Sequence, residues 1–122
     1  MTQYNWVLAH EYGQGCKVYA DMNSLVLNGN IARVTIKHHL VPPGTDKRNQ
    51  KAVQEISFDK EFDFERKKSR YHSITFTYTD GVVADPLQAE PKWLEVDQGS
   101  LAELNFLHSA ALPKKRKTWW PF

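Results

Sequence analysis

Hydrophobic and polar residues alternate along most of the first two-thirds of the chain, the period-two signature of half-buried β-strands. In "NIARVTIKHHLV" the alternation puts Val34, Ile36, His38 and Leu40 on one face and Arg33, Thr35, Lys37 and His39 on the other. Residues 53–66 repeat the pattern, with Phe58, Phe62 and Phe64 at one parity and Asp59, Glu61, Asp63 and Glu65 at the other. The run "YHSITFTYT" directs Ile74, Phe76 and Tyr78 inward and Ser73, Thr75, Thr77 and Thr79 outward. Nearer the start, "WVLAHEY" and "CKVYA" read as strands joined by the loop "GQG". "SLVL" and residues 31–41 flank Asn28-Gly29, with Asn30 just beyond. That dipeptide predicts a hairpin through a type I′ turn, which needs positive φ at both central residues. Upstream, Asp21, Asn23 and Ser24 predict a short Asx- or ST-type turn.

Between these runs lie breaks. "VPPGTDKRNQK" predicts a loop, because Pro42-Pro43-Gly44 ends a strand and the charges that follow keep it wet. A basic bend, "RKKSR", precedes the run "YHSITFTYT", and a loop holding Pro86 and Pro91 leads to "KWLEV", which carries Trp93. After it the period changes. "GSLAELNFLHSAAL" predicts a helix over 100–112, with Leu101, Leu104, Leu107 and Ala111 along one stripe. Ser100 and Glu103 stand at capping-box spacing, and Pro113 is expected to end the helix. The predicted fold is α+β and mostly β: an antiparallel sheet of about five or six strands with one short C-terminal helix packed on it. Residues 1–112 form a single domain in this reading, and 113–122 a basic-aromatic tail.

Composition narrows the picture only in places. The length of 122 residues suits one core, and four Trp, five Tyr and six Phe can fill it without metal or disulfide. Cys16 is the single cysteine, so no internal disulfide forms. A formal charge of +2 sets up no whole-molecule field, which leaves local charge to be weighed. No run approaches the ~20 apolar residues that span a bilayer. "MTQYNWVLAH" lacks the basic start and apolar core of a secretory signal. As the sequence stands a cytoplasmic location is expected, with the periplasm or cell surface as the alternative if a signal peptide has been removed.

Three patterns suggest chemistry. Asp59, Glu61, Asp63 and Glu65 line one side of a strand at ~6.6 Å intervals. A straight row cannot wrap a cation that wants ~6–8 oxygens, so cross-strand pairing with Arg33 and Lys37 is the expected use of these acids. The histidines show no ligand spacing: His38 and His39 point to opposite faces, and His10, His72 and His108 stand alone. Serine elbows, phosphate loops and dinucleotide fingerprints are absent from the sequence, so neither enzymatic activity nor a metal or cofactor is expected. The tail is the sharper feature. Lys114, Lys115, Arg116 and Lys117 followed by Trp119, Trp120 and Phe122 suit phosphate contacts with base stacking, an anionic membrane surface, or docking on a partner, on this domain or on a second copy.

Taken in order, "VYADMNSLVLNGNIARV", "DFERKKSRYHSITFTYTDG" and "KWLEVDQGSLAELNFL" resemble the bacterial surface-adhesin protein E-like family over about residues 6–110. The resemblance implies a small, mostly antiparallel sheet with a short C-terminal helix, and a surface that binds proteins and can self-associate. Three positions depart from the family pattern. Its Asp-Cys stands here as Asp63-Phe64, and its late cysteine falls near Ser109 or Ala110. Both partners of the disulfide implied by the family are therefore missing together. Such a bond typically adds ~2–4 kcal/mol, which packing by Phe64 is expected to offset in part. Gln98 replaces a proline before Gly99-Ser100, with little expected effect on capping. The functional expectation is a non-enzymatic binding module with a protein partner and a possible homodimer. The alternative is binding of nucleic acid or anionic lipid through the tail.

Overall fold

The alternating runs become long strands of one antiparallel sheet. A computed structural model describes residues 3–119, with side chains to residue 110. In chain order it holds β1 (Trp6–Tyr12), β2 (Cys16–Asn28), β3 (Ile31–Asp46), β4 (Lys51–Asp63), β5 (Lys68–Tyr78), β6 (Leu87–Gln88), β7 (Leu94–Glu95) and α1 (Gln98–Trp119). The first six strands pair in sequence order as a meander, and β7 adds to β5. The fold is thus α+β and mostly β, with α1 as its one helix among the described residues. No helix of the described residues is long and apolar enough to cross a membrane.

One face of the sheet buries Val18 and Ala20 from β2, Ala32, Val34 and Ile36 from β3, and Phe62 and Phe64 on and just past β4. Leu104 and Leu107 of α1 close over them, as the helical stripe predicted. Helix and strand keep step. From Ser100, which touches Lys60, to His108, which stacks on Phe64 at 4.8 Å, α1 climbs about 12 Å at ~1.5 Å per residue. The four residues from Lys60 to Phe64 span about 13 Å of strand. Phe64 is only 6% exposed and packs between sheet and helix, the place where packing was expected to replace a cross-link.

Three local expectations are corrected and one is met. The β2–β3 turn is Gly29-Asn30 rather than Asn28-Gly29, since Asn28 pairs with Ile31. Gly29 has φ +61° and Asn30 does not share a positive φ, the pattern of a type II′ turn with glycine first. Asp21, Asn23 and Ser24 lie within β2 at a register shift, where Asp21 Oδ1 accepts the Asn23 amide in the Asx-type contact expected of this cluster. There the Asp21 carboxylate accepts from the Asn5 and Asn23 amides, and Ser24 Oγ accepts from the Thr35 amide, so the cluster serves as scaffolding. The loop expected over residues 41–51 is confined to a turn at 47–50, because β3 runs on to Asp46. Its two prolines sit in the register shift between His39 and Gly44, where a missing N–H costs no ladder bond. Finally, α1 begins at Gln98 and continues past Pro113 to Trp119. A proline removes one helical hydrogen bond and crowds the preceding turn, which kinks a helix as readily as it ends one when strong helix formers follow.

Candidate functional site

Lys60 lies between Phe58 and Phe62 at the parity that faces the helix, so strand geometry alone carries a cation into the core. Its side chain is 2% exposed. The ammonium donates to Glu103 Oε1 at 2.8 Å and to Ser100 Oγ at 3.0 Å, and it lies 4.9 Å from the centroids of both Phe62 and Tyr71. Glu103, also 2% exposed, presents its other oxygen to His38 Nε2 at 3.2 Å, and His38 Nδ1 stands 3.1 Å from the Tyr12 hydroxyl. One chain of polar contacts therefore joins β1, β3, α1 and β4.

The pairing register assembles the rest. His10 pairs with Val18 and Val18 with His38, so both imidazoles flank one valine on the helix side. His10 stacks on Tyr12, Tyr12 meets the edge of His38, His38 meets Phe58, and Phe58 meets Tyr71, with centroids 5.1 to 5.8 Å apart. This aromatic wall runs up to the start of α1 and leaves an open cleft of about 480 Å³. Lys60, Ser100 and Glu103 form its floor, and the exposed residues Asp97, Gln98 and Gly99 form its rim.

The helix start also corrects the expected capping box. Asp97 is the N-cap: its Oδ1 accepts from the Ser100 amide at 2.8 Å, and its carbonyl accepts from the Leu101 amide at 2.8 Å. Ser100 and Glu103 are instead the helix's contacts to Lys60. Two helical turns bring Ser100, Glu103, Leu104 and Leu107 to the same side, where a charged partner was already waiting on the strand.

Charge in the cleft is largely self-satisfied. Burial pushes the Glu103 carboxyl up, but the His38 hydrogen bond and the Lys60 ammonium outweigh it, and the net shift is downward. Glu103 is therefore an anion. The Ser100 amide, followed by its hydroxyl and the Lys60 charge, holds Asp97 below the usual carboxylate range. Burial first, then Cys16 and Glu103, raise the Tyr12 phenol, which keeps its proton at neutral pH. As an anion Glu103 accepts from Lys60 N–H and from His38 Nε2–H, and the Tyr12 hydroxyl shares the next hydrogen bond with His38 Nδ1. Among the described residues every buried side-chain nitrogen and oxygen has a partner.

The opposite face holds the acidic row. Asp59 takes a two-point contact from Arg33 at 2.8 and 3.0 Å, and Glu61 takes Arg70 at 2.9 Å together with His72. Lys37 and His39 both meet Glu55, at 3.8 and 3.2 Å. Asp63 turns away from the row and accepts the Glu65 and Arg66 amides at the β4–β5 bend, while Glu65 accepts from Asn30. No group of three His, Cys, Asp or Glu is brought together for a metal among the described residues. Trp93 receives the Arg70 guanidinium on its ring at 4.4 Å. Cys16 is buried, with its sulfur 3.4 Å from both the Val41 amide and carbonyl.

Of the tail residues, Lys114, Lys115, Arg116, Lys117 and Trp119 belong to α1 by backbone, but their side chains lie outside the described residues, as do Trp120 and Phe122 entirely. Sequence reasoning missed the cleft, although two signals pointed to it. One is a lysine at the inward parity of an otherwise phenylalanine-lined strand, and the other is a glutamate beside the helical leucine stripe. No family model and no curated protein matches this chain.

Proposed function

We propose that this chain is a non-enzymatic binding domain, as its resemblance to protein E-like domains implies, and that it engages a protein partner at the cleft where α1 begins. The observation that carries the reading is the closed Lys60–Glu103–His38–Tyr12 network. A catalytic base needs a free lone pair aimed at substrate, and a nucleophile needs such a base. Here the carboxylate and the imidazole satisfy each other, and the phenol is held in its protonated form. What remains available is shape, aromatic surface and the rim of α1, the inventory of a recognition pocket. The single buried thiol suits a reducing compartment, and a cytoplasmic location is part of the proposal.

Peptide display on the immobilised domain tests it. Selected peptides should lose at least tenfold in affinity on Tyr12→Ala and on Gly99→Phe. At Gly99 an added Cβ meets only the Asp97 carboxylate at 3.6 Å, so the larger side chain narrows the rim without disturbing the fold. Peptides indifferent to both changes, or chemically altered on incubation, refute the reading. A second reading rests on the helical backbone through residues 114–117, which presents four cations on one element. Four phosphate contacts give a log-affinity against log-salt slope of about −3.6 for duplex DNA. A flat salt response, or binding that survives removal of residues 113–122, rules it out.

A further inference from the structure

The hydrogen bonds already made decide what the cleft can still offer a ligand. Tyr12 shares one hydrogen bond with His38 Nδ1, and whichever group donates, the half-exposed phenolic oxygen keeps a lone pair as an acceptor. Asp97 uses Oδ1 to hold the Ser100 amide and keeps Oδ2 at the rim, exposed and ionised. The charges do not cancel either. Lys60 neutralises Glu103 at 2.8 Å, and Asp97 is left over, so with neutral imidazoles the lining carries one net negative charge. Beside those acceptors stand the rings of Tyr12, Phe58 and Tyr71. Acceptors, a surplus carboxylate and aromatic faces suit a ligand that is cationic, flat and rich in donors.

We infer that the cleft receives an arginine side chain of the partner, its guanidinium lying against the aromatic wall and bonded to Asp97 at the rim. The inference rests on the proposal that the cleft is the recognition site and adds the chemistry recognised. An anionic side chain meets Asp97 as a like charge. An aliphatic one leaves the rim acceptors without donors. Lysine offers the charge without the plane, and it binds more weakly than arginine because a compact, strongly hydrated ammonium cannot stack flat on the aromatic wall while bonding Asp97 Oδ2.

The test is an amide-resolved NMR titration of the full chain with three capped tripeptides, Gly-Arg-Gly, Gly-citrulline-Gly and Gly-Glu-Gly. Citrulline keeps the shape of arginine and removes its charge. The arginine peptide should shift the amides of Gln98, Gly99 and Ser100 saturably, at least fivefold more tightly than the other two. Asp97→Asn should remove about fivefold of that affinity, as expected for one half-exposed ion pair. Asparagine also caps helices, so this variant keeps the helix start, and Asp97→Ser serves as a second variant that caps without charge. Equal binding of arginine and citrulline, preference for glutamate, no response in the cleft amides, or an unchanged affinity in both Asp97 variants each overturns the arginine assignment. Display-selected peptides that bind through Tyr12 and Gly99 yet lack arginine overturn it too, while leaving the cleft as the recognition site.

Discussion

Replacing Lys60 with methionine keeps an unbranched side chain one atom shorter and removes its charge. Glu103, 2% exposed, then loses its nearest cation and Ser100 Oγ loses its donor. Removing one partner of a buried ion pair costs about 3–5 kcal/mol, because the other charge stays behind unpaired. Replacing both partners is a different experiment. In the double variant Lys60→Met, Glu103→Leu, apolar groups fill the space, His38 Nε2–H loses its acceptor, and Ser100 Oγ still lacks its donor, although a hydroxyl can turn to another partner. The His38 side chain is 19% exposed, so water can supply part of the bond, and the net cost should fall to about 1 kcal/mol or less. Urea unfolding followed by tryptophan fluorescence gives the free energies of Lys60→Met, of Glu103→Leu alone and of the double variant against the wild type. The pH dependence adds a second check. The Glu103 carboxyl titrates below its ordinary range when folded, so in the wild type its contribution is present above the unfolded pKa and is lost as pH falls through the folded one. In Lys60→Met the same carboxyl is buried without its cation and takes up a proton more easily, so the deficit should be largest near neutrality and shrink on acidification. A double variant less stable than either single, or singles that each cost under about 1 kcal/mol, would refute the placement of this pair at the helix–sheet junction.

Phe64→Ala should cost about 3–5 kcal/mol in the same denaturation assay, since a 6%-exposed ring between sheet and α1 leaves a cavity and the His108 stack is lost. Gly29→Ala should cost about 1–2 kcal/mol although nothing lies within 4 Å of the added Cβ, because the position has φ +61°; an unchanged midpoint argues against that turn. Arg33→Ala should cost no more than about 1 kcal/mol and lose even that in high salt, as its pair with Asp59 is half-exposed.

The strands were legible because one face of each had to be apolar, and Val34, Ile36, Phe62 and Tyr78 lie where the two-residue period puts them. Punctuation was less so. Pro42 and Pro43 read as a strand end, yet a register shift absorbs residues that cannot donate to a ladder. Ser100 read as a helix cap because its spacing to Glu103 fits one, while Asp97 three residues earlier fits equally well and was already bonded to the turn it caps. The cleft was not legible at all. Tyr12, His38, Lys60, Tyr71 and Glu103 are brought together only by the register of four pairings and the seating of α1, none of which local pattern encodes. Even so, a lysine at the inward parity was visible as a residue that had to find an anion.

That lysine bears on how the chain is made. The meander closes through contacts between neighbouring strands, but Lys60 meets Glu103 across 43 positions and His38 meets it across 65. During synthesis the sheet can therefore form before its cover has left the ribosome. A bare apolar face at that moment invites other nascent chains. A solvated ammonium in the middle of it makes such sticking expensive until the cell's own copy of α1 arrives with the matching carboxylate.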